Sequence, residues 1–282
     1  MKARTCRKIH WGQVAVTAVL VLFLIGQVYP IIWLFISSIK PAVEFSNNPF
    51  SLPDAPTLKN YYRVIYESNM LSYVKNNVIV TGCSMVFIVG FSSTVGFALE
   101  KFAFRKINSR LELLFTAGIL IPVQVTLIPL FIYYSNLNIL DTYLGLILPQ
   151  IGFGLPMSVM LFKSFYSYVP NELIEAGIID GCSIYRVFGQ IILPMSKNTM
   201  VTIIATYTIF IWNDFIFANT FTRSNNMKTT GVGLQDFIGA YGSTDWGAIF
   251  AAVCVTILPI LLLYFIMNKQ VMSGISQGAV KG

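Results

Sequence analysis

The chain has 282 residues, of which 55% are hydrophobic and only 11% are charged, and its formal net charge is +7. So few charged side chains cannot cover the surface of a soluble protein, so the composition indicates an integral membrane protein without a soluble domain. The positive charge is explained by basic residues that flank membrane spans and interact with lipid headgroups. Nothing in the sequence supports nucleic-acid binding.

Six apolar segments are long enough to cross a bilayer as helices, which predicts an all-α polytopic membrane protein with six transmembrane helices. The predicted spans are residues 13–36, 73–99, 111–134, 143–165, 199–218 and 246–267. An even number of spans places residues 1–12 and the tail at 268–282 on one side. Of the 19 Lys and Arg residues, 13 fall on that side, which predicts that both termini are cytoplasmic.

Two connections and one span have distinctive compositions. Residues 37–72 are rich in Pro, Asn and aromatic residues, which predicts an extracytoplasmic segment. The next connection, LEKFAFRKINSR, is short and basic, and its simplest role is that of a cytoplasmic anchor. Pro122 and Pro129 predict a kink or an unwound turn in the third span. Such breaks often line the pathway of a transporter, although many membrane helices carry prolines without that role.

A polar island, NELIEAGIIDGCSIYRVFGQIILP at residues 171–194, separates the fourth and fifth spans. Asn171 is predicted to cap a short helix, and the helix dipole favours Glu172 and Glu175 in its first turns. An interfacial helix would carry bulky apolar residues with Lys or Arg, whereas this one offers small residues and acids. The island is therefore predicted to be a docking element.

The island is predicted to fold as a helix, a corner and a second helix. Gly181 supplies the freedom to adopt a positive φ at the corner, Ser183 caps the second helix, and Pro194 ends it. Three residues are predicted to form one shallow face of the first helix: Leu173, Ala176 and Gly177.

Polar residues also occur in the fifth span, where IFIWNDFIFAN places Trp212, Asn213 and Asp214 near its outer end. An aspartate at that depth needs water or a polar partner, so these residues are predicted to form a gate or a packing element. An interfacial Trp with two polar neighbours entering water explains the same string.

These segments resemble a known family. The island resembles the EAA motif of ABC importer permeases at Glu175, Ala176, Gly181, Ile191, Leu193 and Pro194. It departs from the motif at Gly177, where a second Ala is typical, and at Cys182, where Ala is commoner. The strings KNYYRVI, LEKFAFRKINSR and WND-F, with the tail MSGISQGAVKG, are similar to segments of carbohydrate-type permeases, and especially of the shorter second permease of maltose-type systems.

The resemblance implies a permease core at residues 73–267 of a multi-pass protein in the bacterial cell membrane. Its partners would be a second, longer permease, two ABC ATPase subunits, an extracytoplasmic solute-binding protein and membrane lipid. The island would be the coupling helix, which docks on the ATPase through Glu172, Glu175, Ala176, Gly177, Asp180 and Gly181. The tail, as a flexible strand, would contact the ATPase through Gln277 and Gly278. The implied function is ATP-driven import of a sugar by alternating access, with an oligosaccharide as the favoured class of sugar.

No catalytic or metal site is expected, because the only histidine is His10 and it precedes the first span. The chain has no G-x-x-x-x-G-K-[ST] phosphate loop, so ATP and Mg²⁺ are expected on the partner subunits and no cofactor on this chain. Candidates for the pathway or gate, whose aromatic faces could pack on sugar rings, are Pro122, Tyr133, Tyr207, Trp212, Asn213 and Asp214. Aromatic belts explain several of them equally well.

Two other functions stay open. One is an ABC permease for a solute that is not a sugar. The other is a secondary transporter driven by an ion gradient, which usually places ionisable residues at membrane depth, where these spans have almost none. An enzyme has no residue constellation to support it.

Overall fold

The structure, a computed structural model, describes residues 11–102, 105–238 and 244–279. These ranges are predominantly helical, with one isolated antiparallel bridge between Ile238 and Thr244. The α-helices are α1 Trp11–Ser38, α2 Ala42–Asn47, α3 Lys59–Tyr62, α4 Met70–Lys101, α5 Arg105–Ile119, α6 Val123–Asn136, α7 Tyr143–Tyr166, α8 Asn171–Ile179, α9 Ile184–Val187, α10 Leu193–Met195, α11 Lys197–Trp212, α12 Ile216–Phe221, α13 Thr230–Gly233 and α14 Trp246–Ala279. Single π turns occupy Arg63–Glu67 and Phe188–Ile192, and 3₁₀ turns occupy Asn225–Met227 and Leu234–Phe237.

Four helices in the described ranges are long and apolar enough to cross a membrane, namely α1, α4, α7 and the part of α14 from Trp246 to Ile266. The number rises to six if each of two bent helix pairs counts as one span. In the first pair, α5 and α6 meet at 101°. Pro122 immediately precedes α6, where its missing N–H leaves no helical bond unmade, while Pro129 is accommodated inside α6.

The predicted fifth span differs from the structure because residues 199–218 do not form one helix. Helix α11 ends at Trp212 and α12 begins at Ile216. The Asp214 carboxylate accepts hydrogen bonds from the N–H groups of Phe217 and Ala218, both at 3.2 Å, and so starts a new helix. Hydropathy cannot show such a break, since apolar residues flank it on both sides.

The predicted tail also differs, because α14 continues past the apolar span to Ala279. Gln277 and Gly278 therefore lie on helical backbone and not on an extended strand. Gly282 lies outside the described residues.

The described residues divide into two compact units. One contains residues up to Ser68 together with Phe237–Val255, and the other contains Asn69–Asp236 and the residues from Thr256 onward. In the second unit α4 is central, packing along α7 and contacting α11 and α5. A side chain at Gly96 of α4 would place its Cβ 2.8 Å from Phe162 Cβ. The absence of a side chain there lets α4 and α7 approach closely, as small residues do in membrane helix pairs.

Three charged side chains join the ends of α4 and α7 to the middle of α5. Lys163 Nζ lies 3.2 Å from the Glu112 carboxylate and 3.8 Å from that of Glu100. All three side chains are half-buried. The cluster explains why α5 carries an acid in its middle, since Glu112 has a cation from α7 opposite it.

The loop between α6 and α7 is held by Asp141, which has a positive φ of 58°. Its carboxylate accepts hydrogen bonds from the N–H groups of Arg223 and Ser224, at 2.9 and 3.0 Å. Partial burial alone would raise the pKa of Asp141, but these hydrogen bonds outweigh it and lower that pKa from its ordinary value. The loop is thereby joined to the segment after α12.

Candidate functional site

The polar island begins with α8, and Pro170 rather than Asn171 occupies its N-cap position. Pro170 has φ −61° and ψ 140°, so it stands just outside the helix, and Asn171 is the first helical residue. The predicted cap at Asn171 was wrong because proline already supplies the fixed φ from which the helix starts. The Asn171 side chain accepts a hydrogen bond from Lys101 Nζ at 2.9 Å instead.

The corner after α8 has the geometry of a Schellman motif. The N–H of Cys182 donates to the carbonyl of Gly177 at 2.9 Å, and the N–H of Gly181 donates to that of Ile178 at 3.0 Å. Gly181 has φ +81°, which confirms the predicted positive φ. Apart from Gly181 and its two chain neighbours, no described residue has an atom within 4 Å of where its Cβ would be, so the requirement for glycine is conformational and not steric.

The second half of the island begins at Ser183, whose Oγ accepts the N–H of Arg186 at 3.4 Å, as predicted for an N-cap. Helix α9 then passes through the π turn Phe188–Ile192 into α10. Pro194 does not end this run, as was predicted, because it occupies the first turn of α10, where a missing N–H is tolerated. The chain turns at the buried Ser196 before α11 begins.

Five of the six predicted coupling residues are exposed on the island: Glu172, Glu175, Ala176, Asp180 and Gly181. Gly177 is buried, and a Cβ there would lie 2.8 Å from Val187 Cγ2. The predicted shared face of Leu173, Ala176 and Gly177 was therefore wrong, because Gly177 faces α9. An Ala at this position would have to displace Val187, which explains the departure from the usual motif.

Sequence reasoning missed the exposed apolar residues of the island. Ile179 is 84% exposed, Tyr185 is 85% exposed and Ile178 is 52% exposed. Ile178 and Ile179 lie between the acids Glu175 and Asp180, and with Tyr185 they make a surface suited to burial against another protein. The available signal was the pair of isoleucines that follows Gly177.

The role of Lys101 was also missed, since the simplest reading of its loop was a basic anchor. Lys101 is the last residue of α4, and its Nζ donates to the Val169 carbonyl at 2.7 Å and to Asn171 Oδ1 at 2.9 Å. These two hydrogen bonds tie the end of the central helix to the start of α8. The side chain therefore connects the polar island to the membrane-spanning part of the unit.

The end of α11 is held by α4 and α14 through its last residue, Trp212. Trp212 is buried, with only 6% of its surface exposed, and its indole Nε1 donates to the Thr256 carbonyl at 3.1 Å. The Trp212 carbonyl accepts from Asn77 Nδ2, which also donates to Thr230 Oγ1, both at 2.9 Å. Trp212 is thus a packing element, and the interpretation as an interfacial Trp was wrong.

The other predicted pathway residues are not gathered into one cluster. Asn213 is exposed beside Trp212, whereas Asp214 is half-buried and caps α12. Tyr133 is 60% exposed on α6, and Tyr207 packs partly buried against the core of the second unit. Pro122 lies exposed at the break before α6.

Sequence comparison places this architecture among membrane transport proteins. Residues 88–272 match the family described as "Binding-protein-dependent transport system inner membrane component". The chain is 30% identical to the diacetylchitobiose uptake system permease protein NgcG of Streptomyces coelicolor, over 94% of this chain and 87% of that protein. It is also 30% identical to the trehalose/maltose transport system permease protein MalG of Thermococcus litoralis, over 93% of this chain and 94% of that protein.

The fold has a solved counterpart in a chain from the crystal structure of a bacterial ABC transporter involved in the import of the acidic polysaccharide alginate. The TM-score is 0.82 with 20% sequence identity, and the match covers 95% of this chain and 99% of that one. The helical fold, the apolar spans and the family match agree, so this multi-pass membrane protein belongs to the binding-protein-dependent transport system inner membrane components, the permeases of ABC importers.

Proposed function

We propose that the chain is one half of the translocation pore of a sugar importer and that the polar island couples it to a separate ATPase. The observation that carries this proposal is the shape of the island. The chain turns sharply at Gly181, just after α8, and the island exposes Glu172, Glu175 and Asp180 together with Ile179 and Tyr185. A short rigid helix with an acidic and apolar surface suits a cleft on a partner protein better than it suits solvent.

The proposed partners are two ATPase subunits, a second and longer permease, and an extracytoplasmic solute-binding protein. ATP and Mg²⁺ would be held by the ATPase subunits, because this sequence has no phosphate-binding loop. The end of α14, with Gln277 and Gly278, is proposed as a second contact with the ATPase.

During alternating access, movement of the polar island would be transmitted to the membrane helices of the second unit by two connections. Movement of α8 would reach α4 through Lys101 and reach α11 through the π turn and α10. The bends at Pro122 and at Ser196 are the places where helix segments can change direction without breaking helical hydrogen bonds. ATPase closure would therefore turn the segments that border the pathway.

The proposed cargo is a neutral sugar, and an oligosaccharide is the favoured class. The middle parts of α1, α4, α7 and α11 contain no charged side chain, so these helices offer no opposing charge to an ionic solute in a passage of low dielectric. Exposed neutral polar groups are available at Gln124, Thr206 and Asn213. The sugar-transport names of two relatives that match nearly the whole chain favour the same cargo.

Uptake of radiolabelled solutes tests this function in cells with and without the gene. We expect uptake of at least one neutral oligosaccharide to fall to background when the gene is deleted. Wild-type protein should restore it, and a Gly181→Val protein should not. Loss of charged amino-acid or anion uptake, with every neutral sugar unaffected, would contradict the proposed cargo.

The proposed orientation has both termini in the cytoplasm, and cysteine labelling tests it. In a cysteine-free background, a cysteine at Asn225 should react with an impermeant thiol reagent added to intact cells. A cysteine at Ser109 should react only after the membrane is opened. Both positions are exposed, so access depends on the side of the membrane. Labelling of position 109 in intact cells would reverse the proposed topology.

A further inference from the structure

Residues 58–67 form a short helical segment with two different faces. Helix α3 continues directly into the π turn Arg63–Glu67. On one face Asn60 is 5% exposed and Val64 is fully buried. The opposite face carries three large exposed side chains: Leu58 at 71%, Tyr62 at 57% and Tyr66 at 73%.

The buried face fixes this segment to the end of α1. Asn60 Nδ2 donates to the carbonyls of Ser38 and Lys40, each at 2.9 Å. The hydroxyl groups of Tyr61 and Ser38 are 2.7 Å apart. Since Ser38 is the last residue of α1, the segment lies at the level where this apolar helix ends.

The same segment is fixed to the beginning of α14. Arg63 pairs with Asp245, the residue that precedes α14. A Cβ on Gly247, in the first turn of α14, would lie 2.7 Å from Asn60 Nδ2, so the Asn60 side chain packs directly against the backbone of α14. The C-terminal end of α1 and the N-terminal end of α14 therefore both contact residues 58–67. Both of these helix ends lie on the same side of the membrane.

We propose that Leu58, Tyr62 and Tyr66 rest in the headgroup region of the bilayer and that residues 58–67 are an interfacial anchor. Tyrosine is enriched at this depth because its ring is apolar and its hydroxyl is polar. Lys59 is exposed beside the tyrosines, where its charge can reach lipid phosphates while its stem lies along the apolar surface.

The surface of α1 favours lipid over a protein as the occupant of this face. No side chain in the most apolar part of α1 is buried within the chain, so the exposed face of residues 58–67 continues an apolar surface that must meet the bilayer. The ring centroids of Tyr62 and Tyr66 are 5.1 Å apart, forming a small aromatic patch of the kind that makes interfacial belts. The anchor would hold the ends of α1 and α14 at a fixed depth.

The depth of the two tyrosines can be measured by electron paramagnetic resonance. Single cysteines at Tyr62 and Tyr66 are introduced into a cysteine-free full-length chain, which is assembled with its partner subunits in phosphatidylcholine and phosphatidylglycerol nanodiscs and spin-labelled. Collision with oxygen reports lipid, and collision with a nickel chelate reports water. Reference labels are placed at Leu22 of α1 for hydrocarbon and at the exposed Ser46 for water.

We expect both tyrosine positions to give oxygen-to-nickel ratios between those of the two references. A ratio equal to that at Ser46 would overturn the proposal, because the patch would then face water or await a soluble partner. Low access to both reagents would also overturn it, because another protein would then cover the patch. Both residues are exposed, so the substitutions should not disturb folding, which normal sugar uptake by cells that carry each cysteine variant would verify.

Discussion

Replacing Gly181 by valine is expected to abolish uptake while the permease still inserts into the membrane. Gly181 has φ +81°, a region in which a β-branched residue costs about 1–3 kcal/mol. That cost lowers the population of the folded corner by roughly 5–150-fold if the corner must form for docking. The measurement is sugar uptake in cells, together with the amount of ATPase that co-purifies with the permease.

Two variants separate strain at the corner from a change of volume. Gly181→Asn should retain most activity, because asparagine tolerates a positive φ and nothing lies within 4 Å of the new Cβ. Gly189→Val introduces the same side chain in open space nearby on the island, at a glycine without a positive φ, and should also be tolerated. Normal uptake by Gly181→Val would show that the corner is not required for coupling.

The corner was predictable because its causes are local. A glycine after a short helix, followed by a serine, is sufficient to predict a C-terminal cap, a positive φ and a new N-cap. The broken third span was likewise predictable from Pro122, since proline acts on its own backbone. The membrane class, the number of apolar segments and the family followed from composition and from motif spacing.

The errors came from contacts between residues distant in sequence or from a competing local partner. Gly177 was assigned to a docking face by its position on one helix, but the face it occupies is set by Val187 on the next helix. For Trp212 the sequence left a gate, a packing element and an interfacial residue open, and the choice depends on distant contacts, since its indole is bonded to α14 and its carbonyl to α4. Helical periodicity describes one element at a time and cannot show which neighbour covers it.

The exposed isoleucines of the island show a further limit. Ile178 and Ile179 are apolar, so a sequence pattern assigns them to a core, yet the fold leaves both in the open. Their exposure indicates a binding surface only when it is considered together with the acidic residues of α8. A binding surface is identified by what the fold fails to bury, and that information is absent from hydropathy.

Replacing Lys101 by methionine is expected to weaken the coupling of ATP hydrolysis to transport without preventing insertion. The change keeps an apolar stem of similar length but removes both hydrogen bonds, at 2.7 and 2.9 Å, that join α4 to Val169 and Asn171. Hydrogen bonds from a charged donor typically contribute about 1.5–3 kcal/mol each, and partial exposure of Lys101 reduces that value. We expect roughly a tenfold fall in sugar transported per ATP hydrolysed in proteoliposomes.

The matched variants decide whether the link itself is responsible. Lys101→Arg retains a cation that can donate to both acceptors, so coupling should be largely restored. Lys197→Met removes an exposed lysine at the start of α11 and should leave the transport ratio unchanged. Asn171→Ala removes one acceptor, so its effect should be smaller and should not add to that of Lys101→Met, because the two residues share one hydrogen bond. Equal coupling ratios for Lys101→Met and wild type would show that the hydrogen bonds of Lys101 are not required for coupling.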